Sequence, residues 1–271
     1  MKSYIVDSFT TAPFRGNPAG VCFLERPLSP ETMLNITREF GLSETAFIER
    51  TNSLNTLPIR YFSPKTEIRL CGHATLAAAK VVFENPQLSE ITFVTGEQLE
   101  LNIERSDEKI VMAFPIYPVE EIAPVSIAMI SALGLQRVLR TSFNANTKIV
   151  ILEIESSIEL AALRPDFALL EKSHSGINGV LVTAPANSDG FDFYYRYFWP
   201  WSGTDEDPVT GGVQTFLAKY WADKLGRKRL RAFQSSERTG FMDVELTDDK
   251  VLIFGSAVIV LEGKLMATCL Y

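Results

Sequence analysis

The chain is poor in the residues that redox and metal chemistry rely on. Its 271 residues include three cysteines, at positions 22, 71 and 269, and two histidines, His73 and His174. The cysteines show neither paired spacing nor a metal-ligand pattern, which speaks against a disulfide framework. Two histidines are too few for the common zinc sets, so no metal is expected. No Gly-x-Gly-x-x-Gly phosphate turn occurs, nor the βαβ rhythm of a doubly wound sheet, so no nucleotide cofactor is expected either. Apolar runs stay well short of the roughly 18 residues that a membrane span requires. The stretch Met1-Lys2-Ser3-Tyr4-Ile5-Val6 enters a strand-like pattern without the basic and apolar regions of a secretory leader, and a reducing cytoplasm is the expected location.

Basic charge is also in short supply. Lys and Arg number 26 against 33 Asp and Glu, giving a net charge of −7 and a pI near 5.1. That balance argues against nucleic acid or an acidic membrane surface as a partner. The one basic cluster, Arg227-Lys228-Arg229 with Arg231, reads as solvated surface.

What the chain does contain is a second version of one of its own stretches. The first copy reads Arg60-Tyr61-Phe62-Ser63-Pro64, six residues, then Cys71-Gly72-His73-Ala74-Thr75 and an alanine-rich helical run. The second reads Arg196-Tyr197-Phe198-Trp199-Pro200, six residues, then Asp207-Pro208-Val209-Thr210-Gly211 and another helical run. The offset from Tyr61 to Tyr197, and from Cys71 to Asp207, is 136 positions, close to half of the 271. A period this long is no solenoid repeat and points to two related domains facing each other. With 46% hydrophobic residues, each half can bury a core of its own. The expected boundary places domains at 1–116 and 117–271, with the last residues free to pack back on the first.

Taken in order, strands are expected at 3–8 and 21–24, separated by a loop over 10–20 rich in Pro and Gly. Ser29 reads as an N-cap, Pro30 as the first helical residue and Gly41 as the stop of the helix between them. Strand-like runs follow over 42–48 and 56–62, then a helix over 72–84 that is apolar on nearly every face and therefore buried. Prolines 115, 118 and 124 mark a crossing between halves. The second half repeats the order, with an aromatic strand over 191–198 and a helix over 212–224. Short strands with one apolar helix per half suggest an α+β fold in which each sheet curls around its helix.

The repeats also place chemistry. Cys71 and Asp207 each stand where a strand gives way to a helix, and unpaired N–H groups at two such ends could hold a carboxylate. Gly72, and Gly211 with Gly212, would allow close backbone approach. A Cys71 thiol at a helix N-terminus is expected to have a lowered pKa. His73 lies two residues on, whereas His174, between two serines in a polar loop, reads as exposed. Glu44 opens a strand of small and apolar residues, where desolvation is expected to raise its pKa and suit it to shuttle protons. The same offset carries Glu44 to Val180, so the acid has no counterpart, and one asymmetric site is expected.

Five blocks carry a resemblance: Asp7-Ser8-Phe9-Thr10, Gly16-Asn17-Pro18-Ala19-Gly20-Val21, Ser43-Glu44-Thr45-Ala46-Phe47, Cys71-Gly72-His73-Ala74-Thr75 and Glu206-Asp207-Pro208-Val209-Thr210-Gly211. In this order they resemble the signature blocks of the PhzF-like (phenazine biosynthesis) isomerase family, related in fold to diaminopimelate epimerase. The resemblance implies a duplicated two-domain epimerase-like fold, each domain a barrel-like sheet around a central helix, with the active site between them. It implies cofactor-free proton transfer on a small carboxylate, and a homodimer. The proton-moving role falls on Glu44, with His73 and Asp207 assisting. Asn17, Cys71, Gly72, Thr210, Gly211 and Gly212 are the implied substrate contacts. Diaminopimelate epimerase carries a thiol at each helix end, a pattern this chain does not repeat. Two alternatives stand beside this reading: a racemase or epimerase working through Cys71 and Asp207, and a non-catalytic small-molecule-binding protein on the same fold.

Overall fold

Alternating burial along short apolar segments produces a molecule dominated by strands, with few helices. The computed structural model describes residues 1–187 and 189–266; Cys269 and its neighbours lie outside them. Internal packing of the described residues separates two units, 1–113 with 252–266, and 114–251.

The first unit contains β1 (Lys2–Ser8), β2 (Asn17–Leu24), α1 (Pro30–Phe40), β3 (Thr45–Glu49), β4 (Thr56–Phe62), β5 (Glu67–Ile68), α2 (Gly72–Val82), β6 (Glu90–Thr95), β7 (Glu100–Ser106) and β8 (Lys109–Pro115). The second contains β9 (Glu120–Glu121), α3 (Ile127–Leu133), β10 (Arg140–Asn144), β11 (Ile149–Glu153), α4 (Ser157–Ala162), α5 (Phe167–Lys172), β12 (Gly179–Pro185), β13 (Phe193–Trp199), β14 (Thr204–Glu206), α6 (Gln214–Leu225), β15 (Arg229–Gln234) and β16 (Gly240–Leu246). Strand β17 (Lys250–Gly255) leads back to the first unit, where β18 (Ala257–Lys264) pairs antiparallel with β1.

Both units use one sequence of pairings. In the first, β1/β2 is antiparallel, β2/β3 parallel, β3/β4 antiparallel, β4/β6 parallel and β6/β7 antiparallel. In the second, β10/β11, β11/β12, β12/β13, β13/β15 and β15/β16 alternate in the same way. A very short strand, β5 or β14, adds to β4 or β13 just before the helix.

Local chemistry fixes the helices. Ser29 Oγ accepts the Thr32 N–H and Gly41 closes α1 in the left-handed region. Helix α2 buries nine residues between His73 and Val82 and packs against β1, β2, β3 and β18. In the second unit, Trp221 of α6 stacks on Phe193 of β13 and donates its indole N–H to Thr183 Oγ1 of β12 at 2.9 Å. The stretch expected as a loop up to Gly20 is β2 from Asn17 on. Asn17 pairs with Ser8 across β1, and this tertiary pairing overrides the turn chemistry of Pro18 and Gly20.

The basic cluster is neutralised by ion pairs of Arg227 with Asp192, Lys228 with Asp248, Arg229 with Glu245 and Arg231 with Asp243. Among the described residues, no helix is long and apolar enough to cross a membrane.

Candidate active site

Three backbone ties assemble the group around Glu44. Glu44 directly precedes β3, and its carbonyl accepts the Gly20 N–H at 3.0 Å, which holds it to β2. Gly20 is confined: a Cβ there would lie 2.6 Å from the Phe40 ring and 2.7 Å from Thr45 Oγ1. Cys71 is the N-cap of α2, and its carbonyl accepts the Thr75 hydroxyl at 2.8 Å. Thr75 Oγ1 is also 2.6 Å from the buried Tyr61 hydroxyl. His73, in the first turn of α2, has its carbonyl held by the Ser8 hydroxyl at 2.8 Å.

These ties bring His73 Nε2 to 3.2 Å from Glu44 Oε2, and Cys71 Sγ to 3.4 Å from His73 Nδ1. All three residues are nearly buried, Glu44 and Cys71 at 9% exposure and His73 at 7%. Asn17 is fully buried at the start of β2, and Gly72 is the first residue of α2. The structure thus gathers Glu44, Cys71 and His73 in one unit.

The electrostatics correct two expectations. Burial pushes the Glu44 carboxyl up, but the hydrogen bond and positive charge of His73 outweigh it and leave Glu44 below its ordinary value. Burial pulls His73 down, yet the adjacent Cys71 and Glu44 raise it well above its ordinary 6.5. The pair therefore rests as carboxylate and imidazolium. Cys71 is not activated as expected for a helix N-terminus. Burial pushes its thiol up, and His73 offsets only part of that.

In the second unit Asp207 is 8% exposed and shares a hydrogen bond with the Thr210 hydroxyl. Gln234, fully buried, holds this turn from both sides: its Nε2 donates to the Asp207 carbonyl at 2.5 Å, and its Oε1 accepts the Thr210 N–H at 2.8 Å. The Ser236 hydroxyl donates to the Pro208 carbonyl, and the Tyr195 hydroxyl to the Thr210 carbonyl at 3.2 Å. The role of Gln234 was not assigned from sequence. Its signal is that Leu230, Ala232 and Gln234 alternate on the buried face of β15, so an amide falls at an inward position.

The ungapped repeat also needs correction. Arg60 grips Glu67 with two 2.7 Å bonds, and Arg196 grips Glu206 with two more. In the ladders Phe62 faces Glu67 and Phe198 faces Glu206. The second hairpin is longer because a 3₁₀ turn, Pro200–Ser202, sits in it. Counting four residues on from each glutamate, the counterpart of Cys71 is Thr210, not Asp207. Nor does Asp207 cap a helix. Helix α6 begins at Gln214, preceded by turns in which the Gly211 and Gly212 carbonyls accept from Gln214 and Thr215 at 3.0 and 3.3 Å.

Comparison with known proteins assigns the family. The family described as phenazine biosynthesis-like protein matches residues 6–263. The chain belongs to this family. It is 39% identical over 285 residues to a mouse phenazine biosynthesis-like domain-containing protein, covering 97% of this chain and 98% of that one. It is 41% identical to an uncharacterized isomerase of Pseudomonas aeruginosa, covering 98% of each. A crystal structure of a PhzF family protein from Enterococcus faecalis superposes with a TM-score of 0.90 at 33% identity, covering 98% of both chains. The fold of the phenazine biosynthesis-like family is therefore the fold of this chain.

Proposed function

We propose that this chain is a cofactor-independent isomerase that moves a proton on a small carboxylate substrate, with Glu44 as the group that takes and returns it. The observation that carries this reading is the nearly buried Glu44–His73 pair at 3.2 Å. An ionised carboxylate in a dry setting can accept a proton from an acidified C–H, leaving a delocalised carbanion on the substrate. Returning the proton to another carbon completes an isomerisation without net redox change. His73, held as an imidazolium, keeps Glu44 ionised and then shares the proton. The isomerase relative in Pseudomonas aeruginosa supports the reaction class.

Asp207 and Thr210 assist in this reading, with backbone amides near Gly72, Gly211 and Gly212 and the Asn17 and Cys71 side chains as substrate contacts. The reading also includes descent from a duplicated epimerase-like domain, at 1–116 and 117–271, cytoplasmic location and a homodimer; the repeated order of strand pairings supports the duplication. A two-base racemase through Cys71 and Asp207 fits less well, since burial pushes the Cys71 thiol up and Thr210 stands at the counterpart position.

The test is incubation of the protein in heavy water with a panel of small amino- and hydroxy-substituted carboxylates, cyclic hydroxyanthranilates among them, read by mass spectrometry. Deuterium entering one class supports the reading and names the substrate. Binding seen by thermal shift without any exchange would instead mark a binding protein.

A further inference from the structure

We propose that Glu44, Cys71 and His73 together bind a thiophilic divalent cation of the zinc type, and that occupancy blocks the protein. Sequence spacing gave no ligand set, since the three residues belong to two segments with no metal-motif interval. The fold nevertheless places one carboxylate oxygen, one thiol sulfur and one imidazole nitrogen within 4.8 Å of one another.

The distances suit a tetrahedral ion. Zinc bonds of about 2.0–2.3 Å set neighbouring donor atoms roughly 3.3–3.7 Å apart. Here Nε2 lies 3.2 Å from Glu44 Oε2, while Cys71 Sγ lies 3.4 Å from Nδ1 and 3.9 Å from Nε2, so a turn of the Cys71 side chain toward the Nε2 side completes three corners. The donors are also held in place before an ion arrives. The Cys71 carbonyl is tied by Thr75 and the His73 carbonyl by Ser8, which fixes the backbone that carries both ligands.

The donor set selects the ion. A thiolate and an imidazole favour zinc and its softer relatives over Mg²⁺ or Ca²⁺, which take oxygen ligands. On binding, the Cys71 thiol and the His73 Nε2–H each release a proton to water while Glu44 stays a carboxylate. Two negative ligands then balance the two positive charges of the ion. The fourth corner is left to water or to a carboxylate ligand. Binding depends only on the geometry; the block rests on the proposed role of Glu44, whose oxygen the ion would occupy.

The test is titration of the whole protein with Co²⁺, followed by absorption. One equivalent is expected to give a thiolate-to-cobalt charge-transfer band with tetrahedral ligand-field bands, which added Zn²⁺ then removes. Cys71→Ser and Cys71→Ala are each expected to lose the charge-transfer band and to weaken Co²⁺ binding at least about tenfold. Cys22→Ser, altering a buried thiol pushed up to about 12, is expected to keep the band. Absence of the band in the unaltered protein, or its persistence in a folded Cys71 variant, overturns the site. Zn²⁺ is also expected to abolish proton exchange at the same one-to-one stoichiometry. A normal band with undiminished exchange keeps the binding site but refutes the block, and with it counts against Glu44 as the proton carrier.

Discussion

His73 Nε2 and Glu44 Oε2 stand 3.2 Å apart, with side chains 8% and 11% exposed, so each supplies the charge that keeps the other ionised away from water. A carboxylate held in this state can accept a proton without first losing one. The same pairing links the chemistry to folding stability.

The pair sets a pH window for stability. Glu44 is depressed below its ordinary 4.5, so its contribution is present above pH 4.5 and is lost as pH falls through its folded value. His73 is raised above 6.5, so its contribution is complete below pH 6.5 and is lost as pH rises through its folded value. Thermal unfolding of the unaltered protein and of Glu44→Gln should differ most between these two ordinary values. The gap should narrow on both sides. A gap independent of pH would contradict the ion pair.

Gln234→Ala should loosen the turn that carries Asp207 and Thr210. It removes two buried hydrogen bonds at once, leaving the Asp207 carbonyl and the Thr210 N–H without that partner. A loss of about 2–6 kcal/mol in urea unfolding is expected, given about 1–3 kcal/mol for each of the two buried groups left unsatisfied. Gln234→Glu keeps the acceptor for Thr210 but turns an oxygen toward the Asp207 carbonyl, and it too should be destabilised.

Gly20→Ala should be poorly tolerated. The added Cβ meets Phe40 at 2.6 Å and Thr45 Oγ1 at 2.7 Å, beside the bond that holds Glu44 to β2. Overpacking of this kind is expected to destabilise by roughly 1–3 kcal/mol. Calorimetry should show a lower melting temperature with the fold retained.

The two arginine–glutamate grips should differ in weight. Arg196 and Glu206 are 7% and 16% exposed in their side chains, and Arg196 also donates to the Leu160 and Leu163 carbonyls. Arg60 and Glu67 are 24% and 39% exposed. Arg196→Met should therefore destabilise by roughly 3–5 kcal/mol, as when one partner of a buried pair is removed. Arg60→Met should change stability by about 1 kcal/mol or less. Equal effects in denaturant unfolding would refute the contrast.

Much of this was legible in sequence where local chemistry decides. Ser29, Pro30 and Gly41 delimit α1 as their cap and stop preferences require, and the all-apolar run after Gly72 is a buried helix. The signature blocks placed Glu44 and His73 among the candidates, and the structure sets them side by side. Long-range pairing was not legible. Asn17 to Gly20 looks like a turn and becomes a strand only because β1 lies beside it. The repeat aligns without a gap because both copies share Arg-Tyr-Phe and the proline two residues on, Pro64 and Pro200. Only the ladder from Phe198 to Glu206 reveals the longer hairpin that shifts the match to Thr210. The pKa direction of Glu44 is not legible because the imidazolium beside it comes from another segment, and that of Cys71 because its place at a helix end does not reveal how deeply the thiol is buried.

The most direct test of Glu44 as proton carrier compares Glu44→Gln and Cys71→Ser with the unaltered protein on whichever carboxylate takes up deuterium. The account predicts a loss of about 10²–10⁴-fold for Glu44→Gln, the usual range for a general base, and less than tenfold for Cys71→Ser. Exchange that survives in Glu44→Gln and vanishes in Cys71→Ser would contradict it and move the chemistry to the thiol.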